Sequence, residues 1–155
     1  MQVSHGHAAL SGGAAYIDGQ FVPMAEARIP IGDWGFLHSD ATYDVAHVWQ
    51  GSFFRLEDHL DRFFRGMKRL HMSLPLDRDQ IRDILFQCVR LTGLRDAYVE
   101  MICTRGIPAP GSRDPRQCSN RFYAFAIPFI WIADPEKQQK GLHLVISRTQ
   151  RIPPE

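Results

Sequence analysis

Leu56, Leu60, Phe63, Phe64, Met67 and Leu70 recur at three- and four-residue steps, which puts them on one face of a helix. A helix with an apolar stripe has to lay it on another element, and the sequence just before it has the period of a strand. Residues 44–49 and 52–56 carry β-branched and aromatic side chains on either side of Gln50-Gly51, the pattern of a hairpin. The chain therefore changes from a two-residue to a 3.6-residue period near residue 56, and a helix packed on a sheet is the architecture this demands.

The remaining segments extend that scheme. Asp18-Gly19 between two short apolar runs predicts an earlier tight hairpin. Asp77 and Gln80 form a D-x-x-Q capping box, followed by the stripe Ile81, Ile84, Leu85, Cys88 and Val89 and a stop at Gly93, so a second helix is expected. Residues 98–104 read as a buried strand. Residues 105–120, with three prolines and two glycines, read as a long loop. A strand over 122–132, a polar connector DPEKQQKG and a final strand LHLVIS complete the reading. Residues 1–13, rich in Gly, Ser and His, are expected to form a loose arm. Strands, then helices, then strands predict an α+β fold rather than a doubly wound sheet, and no Gly-rich phosphate loop is present.

Charge narrows the partners. Lys plus Arg number 18 against 17 Asp plus Glu, so no strong field is available to hold nucleic acid or an anionic membrane. No window approaches the roughly 18 apolar residues of a membrane span, and the start lacks a basic segment followed by an apolar one. A cytoplasmic location is expected. Cys88, Cys103 and Cys118 are odd in number and lack metal-ligand spacing, which suits free thiols in a reducing compartment. His38 and His47 have no Cys or His companions at ligand spacing, so no metal site is expected.

The densest polar and aromatic cluster is GDWGFLHSDATYDVAHVW, where His38, Ser39, Asp40, Thr42 and Tyr43 crowd the approach to a strand. Read from the residues alone, this is either a turn whose hydroxyls and carboxylates satisfy backbone groups or the wall of a site. Arg62, on the flank of the first helix, has the chemistry to bind a phosphate; Arg105 and Arg113, in the long loop, have the chemistry to meet a carboxylate. Each is equally readable as an ordinary surface charge.

The run FLHSDATYDVAHVWQGSFFRLEDHLDRF, with LRDAYVEMICTRG and PFIWIADPEKQQKGLHLVISRTQRIPPE, resembles the (R)-selective amine transaminases. These belong to the class IV, fold type IV family of pyridoxal-phosphate aminotransferases. The resemblance spans about residues 15 to 155 and includes the family pattern R-L-x-x-H-x-x-R as Arg55, Leu56, His59 and Arg62. It implies that residues 1–128 are the small N-terminal domain, an α/β sandwich, and that 129–155 are the interdomain connector and the first strand of a large cofactor-binding domain. It further implies that Arg62 holds the phosphate of pyridoxal 5'-phosphate and that His38, Tyr43 and Val45 line the substrate pocket. Arg113 is its counterpart of a mobile carboxylate-binding arginine, in a loop about one residue shorter than the family's. The Schiff-base lysine is expected beyond Glu155, so none of Lys68, Lys137 and Lys140 is catalytic. The implied reaction passes an amino group from a chiral amine or amino acid to a keto acid, in a cytoplasmic homodimer. D-amino-acid and branched-chain aminotransferases and aminodeoxychorismate lyase share the fold and cofactor, so they remain alternatives. A non-catalytic fragment or interaction domain is a third reading.

Overall fold

Asp18 and Gly19 adopt positive φ values of 51° and 80°, and Gln50 and Gly51 repeat the pattern at 51° and 86°. Both dipeptides close two-residue hairpins, as their sequences predict. The first joins β1 (Ala14–Ile17) to β2 (Gln20–Pro23); the second joins β3 (Ala41–Trp49) to β4 (Ser52–Phe53). The computed structural model describes residues 12–150, so the N-terminal arm lies almost wholly outside the described residues. A one-turn helix α1 (Trp34–His38) precedes β3.

Helices α2 (Leu56–Arg69) and α3 (Arg78–Thr92) occupy the segments their stripes predict. The capping box of α3 is formed in full: the Asp77 side chain accepts from the Gln80 N–H, and Gln80 Oε1 accepts from the Asp77 N–H, both at 2.8 Å. Strands β5 (Ala97–Pro108) and β6 (Cys118–Pro128) then complete one antiparallel sheet in the order β2-β1-β6-β5-β3-β4.

Both main helices cover the same face of the sheet. Leu60, Phe63, Ile81, Leu85 and Cys88 interleave with Ala46, Val48, Val99, Met101 and Ala124 in one core cluster. Burying each large member contributes about 1.5–3 kcal/mol before conformational entropy is counted. The α2 backbone comes close to the sheet at Gly66, where a Cβ would lie 2.7 Å from Thr42 Oγ1. Cys88 and Cys103 are buried free thiols, and Cys118 is partly buried. Burial pushes the first two up to about 12, which leaves them protonated and inert.

Three expectations change. The loop expected over residues 105–120 shrinks to 109–117, because β5 and β6 continue pairing at Ile107–Ser119 and Pro108–Cys118 past a register shift between Thr104 and Ile107. Gly106 makes this possible with φ +79°, in a space where a Cβ would sit 1.7 Å from the Ser119 carbonyl oxygen. Gly106→Ala is therefore expected to destabilise the domain by about 2 kcal/mol or more, measured by urea denaturation. Second, the strand expected to run to residue 132 stops at Pro128, and the polar connector contains the short helix α4 (Pro135–Lys140), capped by Asp134. Third, residues 142–147 form no strand. Leu144, Val145 and Ile146 are at least 81% exposed, and no described strand lies alongside to pair with them.

Candidate active site

Strand β3 divides the candidate residues by parity. Asp44, Ala46 and Val48 are buried toward the helices, while Tyr43, Val45, His47 and Trp49 alternate with them and project from the opposite face. A carboxylate among the helix-facing residues requires partners. Helix α2 supplies two. Asp44 accepts from Arg62 Nε at 2.6 Å, from Arg62 Nη2 at 2.8 Å and from His59 Nδ1 at 2.8 Å. Its side chain is 1% exposed, against 63% for Arg62.

The energetics of Asp44 are a contest between burial and pairing. Burial, the largest single influence, raises its pKa; the hydrogen bonds from Arg62 and His59, together with their charge, lower it. Pairing wins, and the group is held below its ordinary value of 3.8. The same contact holds Arg62 above the usual guanidinium value. Because a carboxylate only accepts, His59 presents an Nδ1–H to it. The bond to Asp44 engages the Nε–Nη2 edge of Arg62; among the described residues, Nη1 donates to nothing.

The opposite sheet face is apolar and open. Val45 lines a groove of ≈ 770 Å³ with Tyr98, Ile127, Phe129 and Trp131. His47 stacks on Phe129 at 3.9 Å between ring centroids, and Trp49 meets Trp131 edge-on at 5.9 Å. Tyr43 is 65% exposed on this face, two residues from Val45. Tyr98 donates to Glu100 Oε2 at 2.9 Å; burial, then this bond, push it up to about 12.

Asp33 fixes the entrance to β3. It is fully buried and caps α1 by accepting from the Gly35 N–H at 2.8 Å, while its other oxygen accepts from Thr104 Oγ1 and the Tyr123 hydroxyl, each at 2.8 Å. The helix thus tied down carries His38. His38 and Arg113 line one cleft of ≈ 540 Å³, with Trp34, Pro108 and Ser112. Arg105, expected in the loop but placed in β5, has a structural job: it donates to both oxygens of Asp40, at 2.8 and 3.1 Å, and to the Leu70 carbonyl at 2.9 Å. It is not free to meet a ligand. A larger cleft of ≈ 850 Å³ beside α3 and Phe21 contains none of the candidate residues.

The candidate residues therefore form three groups: Arg62 on the helix side of β3, Tyr43 and Val45 on its open face, and His38 with Arg113 beyond its N-terminal end. The sequence reading missed Asp44 and Asp33. Asp44 was detectable, since it has the same parity as Ala46 and Val48; Asp33 looks like any N-cap, and its contacts to Thr104 and Tyr123 are non-local.

Comparisons with known proteins place the chain in a family. The family model described as amino-transferase class IV matches residues 41–155. A Methanocaldococcus jannaschii protein, whose name provisionally assigns it as a branched-chain-amino-acid aminotransferase, is 30% identical over 89% of this chain and 46% of its own length. The chloroplastic D-amino-acid transaminase of Arabidopsis thaliana is 29% identical over 92% of this chain and 37% of its own. This chain thus spans less than half the length of either relative. Among solved structures, the branched-chain aminotransferase of the thermophilic archaeon Thermoproteus uzoniensis, with norvaline, superposes with a TM-score of 0.65 at 23% identity, covering 75% of this chain and 40% of that one. The Escherichia coli branched-chain enzyme gives 0.69 at 16% identity, over 76% of this chain and 41% of that one. The shared sheet-and-helix layer and the family match across β3 to β6 and the C-terminal segment agree: the chain belongs to the class IV aminotransferase family.

Proposed function

We propose that this chain is the small N-terminal domain of a pyridoxal-phosphate-dependent transaminase, with residues 1–128 forming the domain and 129–155 leading into a large domain. The donor set fits the cofactor's phosphate. Arg62 is pre-oriented by Asp44 on a rigid helix, yet among the described residues its Nη1 is uncommitted, and its side chain stays mostly exposed. That one observation carries the reading. Pyridoxal phosphate supplies the electron sink that makes amino transfer feasible, and a lysine beyond Glu155 is the residue expected to bind it covalently.

The residues of this chain bind and orient. Arg62 holds the phosphate; Tyr43 orients the reacting amine through its exposed hydroxyl; Val45 limits the substituent that fits the apolar groove beside it. His38 and Arg113 line a second cleft, where a guanidinium suits a keto-acid carboxylate. The apolar character of the Val45 groove, together with the HSD-x-TYDV segment, favours a chiral primary amine as donor and a keto acid as acceptor. Arg113 supports the alternative, a D-amino-acid or branched-chain substrate bound by its carboxylate. A cytoplasmic homodimer is the assembly this reading expects.

Replacing Arg62 by Ala in the intact enzyme is expected to weaken retention of pyridoxal 5'-phosphate about tenfold or more, since a charge-assisted contact contributes roughly 1.5–3 kcal/mol. Equilibrium dialysis measures it, and unchanged retention defeats the phosphate role. Initial rates with pyruvate and three donors, a primary amine of defined handedness, D-alanine and leucine, decide the substrate. A preference for the amine upholds the first reading, and a preference for an amino acid selects the alternative.

A further inference from the structure

A guanidinium that binds phosphate has two properties to control, its orientation and its charge, and Asp44 acts on both. Its two oxygens engage the Nε–Nη2 edge of Arg62 at 2.6 and 2.8 Å, which fixes the guanidinium plane and leaves Nη1 without a partner among the described residues. The same negative charge also offsets part of the attraction between Arg62 and an anion. These two effects have opposite signs for phosphate affinity, so deciding which dominates gives Asp44 a definable role.

Placement favours orientation. The Asp44 side chain is 1% exposed and cannot follow solvent, whereas that of Arg62 is 63% exposed, where water screens the opposing charge. An arginine this exposed loses rotamer freedom when it is immobilised, and Asp44 has already imposed that loss in the free protein. His59 adds to the restraint by donating Nδ1–H to the same carboxylate at 2.8 Å, so the Asp44 side chain is itself held from two directions along α2. Gly66 keeps α2 close to β3 at Thr42, two residues from Asp44.

We infer that Asp44 is a positioning residue for phosphate binding: it presents the free edge of Arg62 to the cofactor's phosphate and raises affinity for phosphate-bearing ligands despite its negative charge. This rests on the reading that Arg62 holds the phosphate.

The test measures binding of pyridoxamine 5'-phosphate and of pyridoxamine, which lacks the phosphate, to the intact enzyme and to Asp44→Asn, Arg62→Ala and the double variant. Neither ligand carries an aldehyde, so a covalent link to lysine does not contribute. Asp44→Asn is expected to weaken pyridoxamine 5'-phosphate about tenfold while leaving pyridoxamine within twofold. In the Arg62→Ala background the Asp44 substitution should have no further effect. Unchanged or tighter phosphate-ligand binding in Asp44→Asn overturns the inference, as does an equal loss for both ligands. If Arg62→Ala itself leaves pyridoxamine 5'-phosphate binding intact, the phosphate reading fails; if Arg62→Ala weakens it and Asp44→Asn does not, only the role of Asp44 fails. A measurement on the unaltered protein guards against a variant that does not fold. The Arg62 Nε–H, assigned by its disappearance in Arg62→Lys, should exchange with solvent at least tenfold more slowly than the Nε–H of Arg65, an exposed arginine on the same helix that donates to nothing among the described residues, and exchange as fast as Arg65 counts against a held guanidinium.

Discussion

Asp33→Ala is expected to lower the stability of the domain by about 3–5 kcal/mol, enough to unfold a large fraction of a marginally stable protein. The substitution removes the acceptor of three hydrogen bonds at once, from the Gly35 N–H, Thr104 Oγ1 and the Tyr123 hydroxyl. Both hydroxyls belong to buried residues, so neither gains water in exchange. Burial, then the bond to Asp33, push the Tyr123 hydroxyl upward, which keeps it a donor. Relief of the buried carboxylate's own desolvation offsets part of the loss, which is why the expected cost stays below the sum of three charged bonds. Asp33→Asn separates the two contributions. Its amide retains one acceptor oxygen for the cap, while its NH₂ group donates to hydroxyls that can rotate to accept, so its loss should be about half as large. Urea denaturation measures both. A cost under about 1 kcal/mol for Asp33→Ala removes the group from the structural framework of the site.

That result bears on function because Asp33 joins segments far apart in sequence. It caps α1, which carries His38, and ties it to β5 through Thr104 and to β6 through Tyr123. Asp40 extends the same logic after α1, where Arg105 clamps it and donates to the carbonyls of Leu70 and His71, just past the end of α2. The entrance to β3 is therefore fastened on both sides of His38. Loosening it should move His38 and Arg113 together, since they line one cleft.

How far these relations were legible in the sequence depends on their range. The hairpins at Asp18-Gly19 and Gln50-Gly51, the α2 stripe and the α3 capping box are local, and each formed where its residues predict. So is the shared face of Tyr43 and Val45, which follows from strand parity. What was not legible is long-range. Extension of β5 and β6 through a Pro- and Gly-containing segment depends on cross-strand pairing around Gly106, which propensity does not register. Residues 142–147 show the converse, strand propensity without a neighbour to pair with. Asp44 is intermediate. Its parity marked it as facing the helices, but only the packing of α2 reveals that Arg62 and His59 are its partners.

The largest expected effect is the complete absence of amino transfer by these 155 residues on their own. A transaminase needs an amine that can reach the cofactor's aldehyde while the phosphate is held, and on the proposed reading none of the three lysines, Lys68, Lys137 and Lys140, takes that role. Lys68 shares α2 with Arg62 but lies six residues on, about 9 Å along the axis and well round its circumference. Lys137 and Lys140 lie on α4, where each ammonium is 2.6 Å from a carboxylate, Asp134 and Glu136 respectively. Both side chains are more than half exposed, and neither lines the cleft that contains His38 and Arg113. On the proposed reading Arg62 alone would contribute a single guanidinium edge toward a phosphate, too little to retain a small ligand at micromolar concentration. Mixing the chain with pyridoxal 5'-phosphate, an amine donor and pyruvate should therefore yield no alanine above a protein-free control. Mass analysis after borohydride reduction should likewise find no lysine modified in preference to the others. Sustained alanine formation, or selective labelling of Lys68, Lys137 or Lys140, would place a working amine within this domain and overturn the assignment of that role to a lysine beyond Glu155.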